Sequence, residues 1–178
     1  MEKETLHSPL STLLSNVTHP FPPVCAPDAR ILILGSFPSP RSREEGFFYM
    51  HPQNRFWPLM ADLLGAPLPQ TNEERAALLR GHGIALWDVL ASCEIRGASD
   101  ASIQNAVPND LGPLFRQMPL QTVYTNGKTA YRLYQRHSRT QTGLDAVCLL
   151  STSPANCRVS YAELREAWKV ITDWRAAK

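Results

Sequence analysis

The sequence predicts an α/β fold, a three-layer α/β/α sandwich around a central four-stranded parallel sheet. Short apolar runs without polar alternation, such as Ile31 to Leu34, are typical of strands that are buried on both faces. Segments with helical spacing of apolar residues separate these runs, and this alternation favours a parallel sheet covered on both sides. A chain of 178 residues, 43% of them hydrophobic, is long enough for one such domain.

Local patterns place the strands. Residues 1–30 are polar and proline-bearing, and they are predicted to form an amino-terminal arm with at most a short helix around Leu10 to Leu14. The domain itself is predicted to span residues 31–178. Its four strands are predicted at Ile31 to Leu34, Gly83 to Val89, Gln121 to Tyr124 and Ala146 to Leu150.

The helices are predicted from apolar spacing and from capping residues. Capping boxes open two of them, at Thr71 to Glu74 and at Ser160 to Glu163. Ser92 to Asn109 is mostly polar and is predicted to be a long loop with one helical turn. The remaining helices are predicted over Phe56 to Leu64, ended by Gly65, near Asp110 to Arg116, after Asn126-Gly127-Lys128, and along the stripe Tyr161, Leu164, Trp168 and Ile171.

Composition narrows the possible functions. The four cysteines form no CxxC pair, so neither a zinc nor an iron–sulfur site is predicted, and no other cofactor is expected. Nothing resembles a signal peptide and no apolar run could cross a bilayer, so a cytoplasmic protein is expected. The formal charge is only +2, but residues 112–144 contain five basic side chains and no acidic one. Without other information this stretch is interpreted as a solvated face.

The loop after the first strand is the candidate site. Gly35 and the prolines at 38 and 40 stop the strand, and six aromatic residues follow before residue 58. Loops at the carboxyl ends of parallel strands are where open α/β sheets bind ligands. The aromatic loop is therefore interpreted as the wall of a pocket.

Three segments carry a resemblance to a known family: GSFPS at 35–39, FYMHPQNRFW at 48–57 and STSPANCRVS at 151–160. They resemble the two active-site motif regions of the uracil-DNA glycosylase superfamily. HPQNRFW is similar to the HPxNRFW of its mismatch-specific branch, and GSFPS with STSPAN looks most like the hypoxanthine-DNA (deoxyinosine) glycosylase branch. The resemblance extends from about Ile31 to Ile171.

The resemblance implies a monomeric DNA-repair enzyme that removes deaminated bases, chiefly hypoxanthine, from double- or single-stranded DNA. Such an enzyme flips the nucleotide out of the helix and admits water to C1′ as the base leaves. It needs neither a metal nor a covalent nucleophile. The motif loops contain no lysine that could form a Schiff base, so a monofunctional glycosylase is expected.

Asn54 is the implied catalytic residue. In the mismatch-specific branch the first loop reads GINPG, and its asparagine positions the water, but Phe37 stands at the matching place here. The asparagine of the HPQN motif takes that role in the hypoxanthine branch, and its amide could hold water and donate to the base. An ordinary helix N-cap is the alternative interpretation of Asn54.

The base-binding residues implied by the resemblance are Gly35, Ser36, Phe37, Tyr49, Asp88 and Ser153. Tyr49 matches the aromatic residue that stacks on the flipped base. GIALWDV resembles GVLLLNA of the uracil-specific branch, and Asp88 matches the asparagine that reads the base edge. A carboxylate only accepts hydrogen bonds, which suits the N1–H of hypoxanthine. A buried aspartate that binds loop amides is the alternative.

The DNA-binding residues implied by the resemblance are Ser39, Ser42, Lys128, Ser151, Asn156 and Arg158. Ser151 and its neighbours could bind a phosphate, Asn156 to Arg158 match the wedge that fills the gap left by the flipped base, and Lys128 begins a phosphate-contacting helix. A polar turn before a capped helix is the alternative. Three other functions remain open: a uracil or mismatch glycosylase, a non-catalytic DNA-binding relative, and a nucleoside hydrolase.

Overall fold

The computed structural model describes residues 13–175. In chain order its elements are β1 (Ser15–Thr18), β2 (Ile31–Gly35), α1 (Pro40–Glu45), α2 (Phe56–Leu64), α3 (Asn72–Arg80), β3 (Ile84–Asp88), β4 (Leu90–Arg96), β5 (Ser99–Pro108), α4 (Gly112–Gln117), β6 (Thr122–Asn126), α5 (Lys128–His137), α6 (Arg139–Thr142), β7 (Ala146–Leu149), α7 (Tyr161–Trp168) and a 3-10 helix (Lys169–Arg175).

Four strands form the parallel sheet that the sequence predicts. Their order is β3-β2-β6-β7, and every pairing within this sheet is parallel. Ile31 of β2 pairs with Ile84 of β3 on one side and with Thr122 of β6 on the other. All five residues of β2 are buried, as expected for a strand that is covered on both faces.

Helices cover both faces of the parallel sheet. Ile31 and Ile33 face one apolar cluster, which contains the buried side chains of α2, α3 and α7. Leu32 and Leu34 face the other, which contains those of α4 and α5. Successive side chains of β2 thus point alternately into two apolar cores, as expected for a central strand of a three-layer sandwich. This arrangement confirms the predicted fold class.

The segment Ser92 to Asn109, predicted to be a long loop, is instead part of a β-hairpin. β4 and β5 pair antiparallel, and β1 adds to β4, which gives a second sheet in the order β1-β4-β5. Most of β5 is exposed, and the pairing with β4 is interrupted by register shifts. These irregularities remove the apolar alternation that normally identifies a strand.

The amino-terminal segment packs onto the domain. Ser15 pairs with Ile95 and Thr18 with Ser92, and Val24 forms an isolated antiparallel bridge with Leu86 of the parallel sheet. The helix predicted around Leu10 to Leu14 falls mainly outside the described residues, and the two leucines within the described range are not helical. The division into an arm of residues 1–30 and a domain of residues 31–178 stays a prediction.

Both capping boxes are confirmed. Thr71 accepts from the backbone N of Glu74, Ser160 accepts from that of Glu163, and each glutamate carboxylate accepts in return from the cap backbone. Tyr161 does not belong to the apolar stripe as predicted, since it is 40% exposed and donates to Asp62 Oδ2. Within residues 13–175 no helix combines the length and the apolar character that crossing a membrane requires.

Candidate active site

Side chains at the carboxyl edge of the parallel sheet form the candidate site. Gly35 ends β2, Asp88 ends β3 and Asn126 ends β6, while Thr152 lies in the loop after β7. Because adjacent parallel strands end at the same edge, residues far apart in sequence meet here. Tyr49, from the aromatic loop, reaches over Gly35 with its hydroxyl group.

Gly35 is required by the close approach of two polar side chains. A Cβ atom at this position would lie 2.3 Å from Asp88 Oδ1 and 2.9 Å from Tyr49 Oη. Neither distance is sterically possible, so the absence of a side chain lets the carboxylate and the hydroxyl converge on the strand end. This close approach explains why glycine is needed at position 35, beside two of the other residues predicted to bind the base.

Gly35→Ala is expected to reduce the base-excision activity that the resemblance implies about tenfold or more and to destabilise the fold by about 1–3 kcal/mol, because the added methyl group displaces Asp88 or Tyr49. The measurement is single-turnover excision together with thermal unfolding. Gly81→Ala is the control, because Gly81 ends α3 with φ of −63° and an added Cβ would lie 3.2 Å from Ala77 O and near neither Asp88 nor Tyr49. Full activity of the Gly35→Ala variant would contradict the convergence of these side chains.

Asp88 is buried and paired with a histidine that the sequence analysis missed. Asp88 is 3% exposed, and its Oδ2 lies 2.8 Å from His19 Nε2. The backbone oxygen of Asp88 accepts from Asn109 Nδ2 at 2.9 Å. His19 stands in the proline-rich segment, where no motif or periodicity marks it, so only the tertiary structure reveals this contact.

Tyr49 closes the site. Its backbone φ is 57°, a left-handed conformation that is uncommon outside glycine, and its ring packs on Phe56 with centroids 4.2 Å apart. Its Oη is buried and makes no hydrogen bond with any described residue. Burial raises the pKa of the Tyr49 hydroxyl well above its usual value, and the charge of Asp88 adds to this effect. The hydroxyl is therefore neutral, and the side chain of Asn126 lies close enough to lower this pKa although the two groups form no well-aligned hydrogen bond.

The side-chain oxygen of Asn54 is held by both loops. Oδ1 accepts from the backbone N of Phe56 at 3.0 Å and from Thr152 Oγ1 at 2.9 Å. The first bond is a local turn contact one residue before Arg55, the N-cap of α2, which itself has no side-chain cap hydrogen bond. The second bond reaches across to the other motif loop. The amino group of Asn54 has no hydrogen-bond partner among residues 13–175 and remains the chemically available end of the amide.

A second asparagine fixes Thr152. Asn126 Oδ1 accepts from the backbone N of Thr152 at 2.9 Å, and Asn126 Nδ2 donates to Thr152 Oγ1 at 2.9 Å. Since Thr152 Oγ1 accepts from Asn126, its own proton is directed to Asn54. Thr152 is fully buried. The hydrogen bonds from Asn126 through Thr152 therefore orient the amide of Asn54.

Arg55 ties the two motif loops together. Its guanidinium donates to the backbone oxygens of Val159 at 2.6 Å and Asn156 at 3.0 Å, and its backbone N donates to Thr152 O at 3.1 Å. Hydrogen bonds from a charged donor contribute about 1.5–3 kcal/mol each. The sequence marks this arginine only as part of the HPQNRFW motif and does not indicate its contacts with the second loop.

Comparison with known proteins identifies the family. The sequence model of the uracil DNA glycosylase superfamily matches residues 22–174. The chain belongs to this superfamily. It is 35% identical over 150 residues to a protein from Methanosarcina barkeri named hypoxanthine DNA glycosylase, covering 83% of this chain and 93% of that protein. It is 34% identical to a protein of the same name from Methanosarcina acetivorans, covering 85% and 95%.

A solved structure shows the same fold. The solution NMR structure of a candidate uracil DNA glycosylase from Methanosarcina acetivorans superimposes with a TM-score of 0.71 at 30% identity. The match covers 85% of this chain and 96% of that protein. These comparisons confirm the resemblance drawn from the motif segments and the predicted uracil-DNA glycosylase fold.

The other three residues predicted to bind the base, Ser36, Phe37 and Ser153, each have a different environment in the structure. Ser36 Oγ donates to Asp100 Oδ2 at 3.0 Å, so the hairpin tip covers the first loop. Phe37 is 7% exposed in the core beside α4 and α5, with the Arg43 guanidinium 5.8 Å from its ring centre. Ser153 Oγ accepts from the backbone N of Ala155 at 3.2 Å. Phe37 thus packs away from the loop surface.

Four of the predicted DNA-binding residues stabilise loop conformations. Ser39 Oγ caps α1 by accepting from the backbone N of Ser42, and Ser42, itself 2% exposed, accepts from the backbone N of Met50. Ser151 Oγ accepts from the backbone N of Ser153, and the side chain of Asn156 donates to Ser151 O. The other two, Lys128 and Arg158, are exposed.

The basic stretch forms a row along α5. Lys128, Arg132 and Arg136 are exposed and spaced four residues apart, so they share one face of the helix. Gly127, just before this helix, is in contact with Ser151, since a Cβ there would lie 3.0 Å from Ser151 Cβ. The row therefore begins next to the second motif loop. Arg139 is excluded from it because it pairs with Asp145.

Proposed function

We propose that the protein is a DNA glycosylase that hydrolyses the N-glycosidic bond of deaminated bases in DNA, chiefly hypoxanthine. The buried carboxylate of Asp88 carries this proposal, since it is an acceptor-only group at the position that the resemblance implies for reading the base edge. The similarity to two proteins named hypoxanthine DNA glycosylase, at 35% and 34% identity, supports the same base.

The chemistry of deamination explains why a carboxylate suits this task. In adenine N1 is an acceptor, whereas in hypoxanthine it carries a proton and becomes a donor. The Oδ1 atom of Asp88 accepts a hydrogen bond from N1–H, but it would face the lone pair of adenine N1. A site built around such a polar contact rejects a base that cannot make it. Adenine is thereby excluded.

The base reaches Asp88 only when Tyr49 moves. Asp88 is 3% exposed, and the Tyr49 hydroxyl covers Gly35. The Tyr49 hydroxyl forms no well-aligned hydrogen bond in this closed arrangement, so little is lost when it moves aside for a base that flips out of the duplex. The ring of Tyr49 then stacks on the base, which contributes about 1–3 kcal/mol.

Hydrolysis proceeds with water as the nucleophile. The C1′–N9 bond breaks, its electron pair leaves with the base, and a water oxygen bonds to C1′ and loses a proton to solvent. The free amino group of Asn54 donates a hydrogen bond to the departing base, while Phe56 and Thr152 hold the amide in place. No lysine lies within residues 36–55 or 150–160, so the product is an unmodified abasic site.

The test is an excision assay on labelled oligonucleotides, duplex and single-stranded, that contain inosine, uracil, xanthine or mismatched thymine. Alkali cleaves the resulting abasic sites. Cleavage at inosine supports the proposal, and faster cleavage at uracil supports the second candidate, which the NMR structure of a candidate uracil DNA glycosylase favours. Binding without cleavage indicates a non-catalytic relative, and turnover of free inosine indicates a nucleoside hydrolase.

The basic row on α5 is expected to supply non-specific DNA affinity. Replacing Lys128, Arg132 and Arg136 together by alanine should reduce the slope of log K against log salt concentration by about 1 for each phosphate that the variant no longer neutralises. Binding isotherms over a range of salt concentrations measure this slope. Arg139→Ala is the matched control, because its charge is already paired with Asp145. An unchanged slope in the triple variant would show that these three side chains do not contact DNA phosphates.

A further inference from the structure

His19 lies at the floor of the site although it precedes the part of the chain that the superfamily model matches, residues 22–174. Its Nε2 is 2.8 Å from Asp88 Oδ2, and the two side chains are each 4% exposed. The residues are 69 positions apart in sequence. A segment outside the matched region therefore provides the one side-chain partner of the Asp88 carboxylate among the described residues.

The position of His19 is fixed by its surroundings. Its backbone N donates to Ala91 O at 2.7 Å, immediately after β1 pairs with β4. The imidazole is enclosed by four aromatic rings, whose centroids lie 4.6 Å (Phe21), 6.1 Å (Phe37), 6.1 Å (Phe48) and 6.5 Å (Trp87) away. The ring has little freedom to turn away from Asp88.

The short contact with Asp88 sets the direction of the hydrogen bond. Because a carboxylate oxygen only accepts, His19 Nε2 donates to Asp88 Oδ2 at 2.8 Å. The backbone N of Phe21 lies 3.5 Å from Nδ1 on the other side of the ring. The other carboxylate oxygen, Oδ1, is left beside Gly35 and Tyr49, where it is the atom nearest to a Cβ placed on Gly35.

We infer that His19 is a positioning residue for base selectivity, which holds Oδ2 of Asp88 so that Oδ1 faces the incoming base as an acceptor. This inference rests on the proposed function. Without the imidazole, Asp88 is a buried carboxylate with no side-chain partner among the described residues, and it is free to rotate away from N1–H. His19 acts through Asp88 and does not touch the base.

The experiment is a double-mutant cycle on single-turnover hypoxanthine excision, with His19→Leu made in the wild-type and the Asp88→Ala backgrounds. We expect His19→Leu to slow excision about 10- to 100-fold in the wild-type background and to have little further effect once the carboxylate is gone. His19→Gln retains a donor near the position of Nε2 and should restore most of the rate. His82→Gln, at the amino end of β3, is the matched control.

Thermal unfolding of each variant separates positioning from folding. The inference is overturned if His19→Leu slows excision equally in both backgrounds, or if His19→Gln is as slow as His19→Leu while it unfolds at the wild-type temperature. A wild-type protein that excises uracil and not hypoxanthine overturns the base assignment and this inference, while the glycosylase function stands. Absence of excision of any base overturns the proposed function and this inference together.

Discussion

Asn54→Ala is expected to lower the single-turnover rate of hypoxanthine excision by about 10²–10³-fold, the usual effect of removing one donor that stabilises developing negative charge. The oxygen of the Asn54 amide is engaged by Phe56 and Thr152, so the amino group is the part that the reaction loses. The hydrogen bond to the backbone N of Phe56 is lost as well, at about 0.5–1.5 kcal/mol of stability. Excision kinetics and thermal unfolding are both measured.

Asn54→Asp distinguishes the structural role of the Asn54 side-chain oxygen from the chemical role of its amino group. A carboxylate still accepts from the backbone N of Phe56 and from Thr152, so this variant should unfold close to the wild-type temperature. It cannot donate to the departing base, and its charge repels the electrons that leave with that base. We therefore expect it to be as inactive as Asn54→Ala. Near-wild-type excision by either variant would show that Asn54 has only a structural role, in holding the start of α2 and the second motif loop.

Asp88→Asn is expected to reduce hypoxanthine excision by about 10²-fold or more and to raise the ratio of uracil to hypoxanthine excision. His19 Nε2 donates to the atom at the Oδ2 position, so an asparagine would turn its oxygen there and present its amino group beside Gly35. N1–H of hypoxanthine then meets a donor. Asparagine is also the residue that the uracil-specific branch carries at the position matching Asp88.

Rates on matched inosine and uracil duplexes, with saturating enzyme, give this ratio. Asp62→Asn is the control, because Asp62 is exposed on α2 and pairs with Arg165 and Tyr161 away from the site. A ratio that stays constant in Asp88→Asn would mean that the carboxylate serves only as a structural partner of His19 and the surrounding loops.

The sheet and the helix starts were predictable because their signals are local. The apolar run at Ile31 to Leu34 is continuous, and each capping box lies within four residues. The β4–β5 hairpin was missed for the opposite reason. Its stability comes from pairing across the hairpin and with β1, and most side chains of β5 face solvent, so no apolar pattern marks it.

In the candidate site, too, the sequence indicates local features but not contacts between distant residues. The motif segments locate Asn54, Tyr49 and Asp88, but they do not indicate what holds them. The partners of these residues are His19 and Thr152, distant in sequence and drawn in by strand order. A motif predicts which residue occupies a position, but it does not predict whether that residue is buried. Ser42 was predicted to contact DNA, yet it is only 2% exposed.

The measurement that tests the central claim most directly is the structure of the Asn54→Ala variant bound to a duplex that contains inosine. We expect the flipped hypoxanthine to place N1 at about 2.7–3.2 Å from Asp88 Oδ1, with the Tyr49 ring moved off Gly35 and stacked on the base. A base bound elsewhere, with Asp88 still covered by Tyr49, would contradict the account.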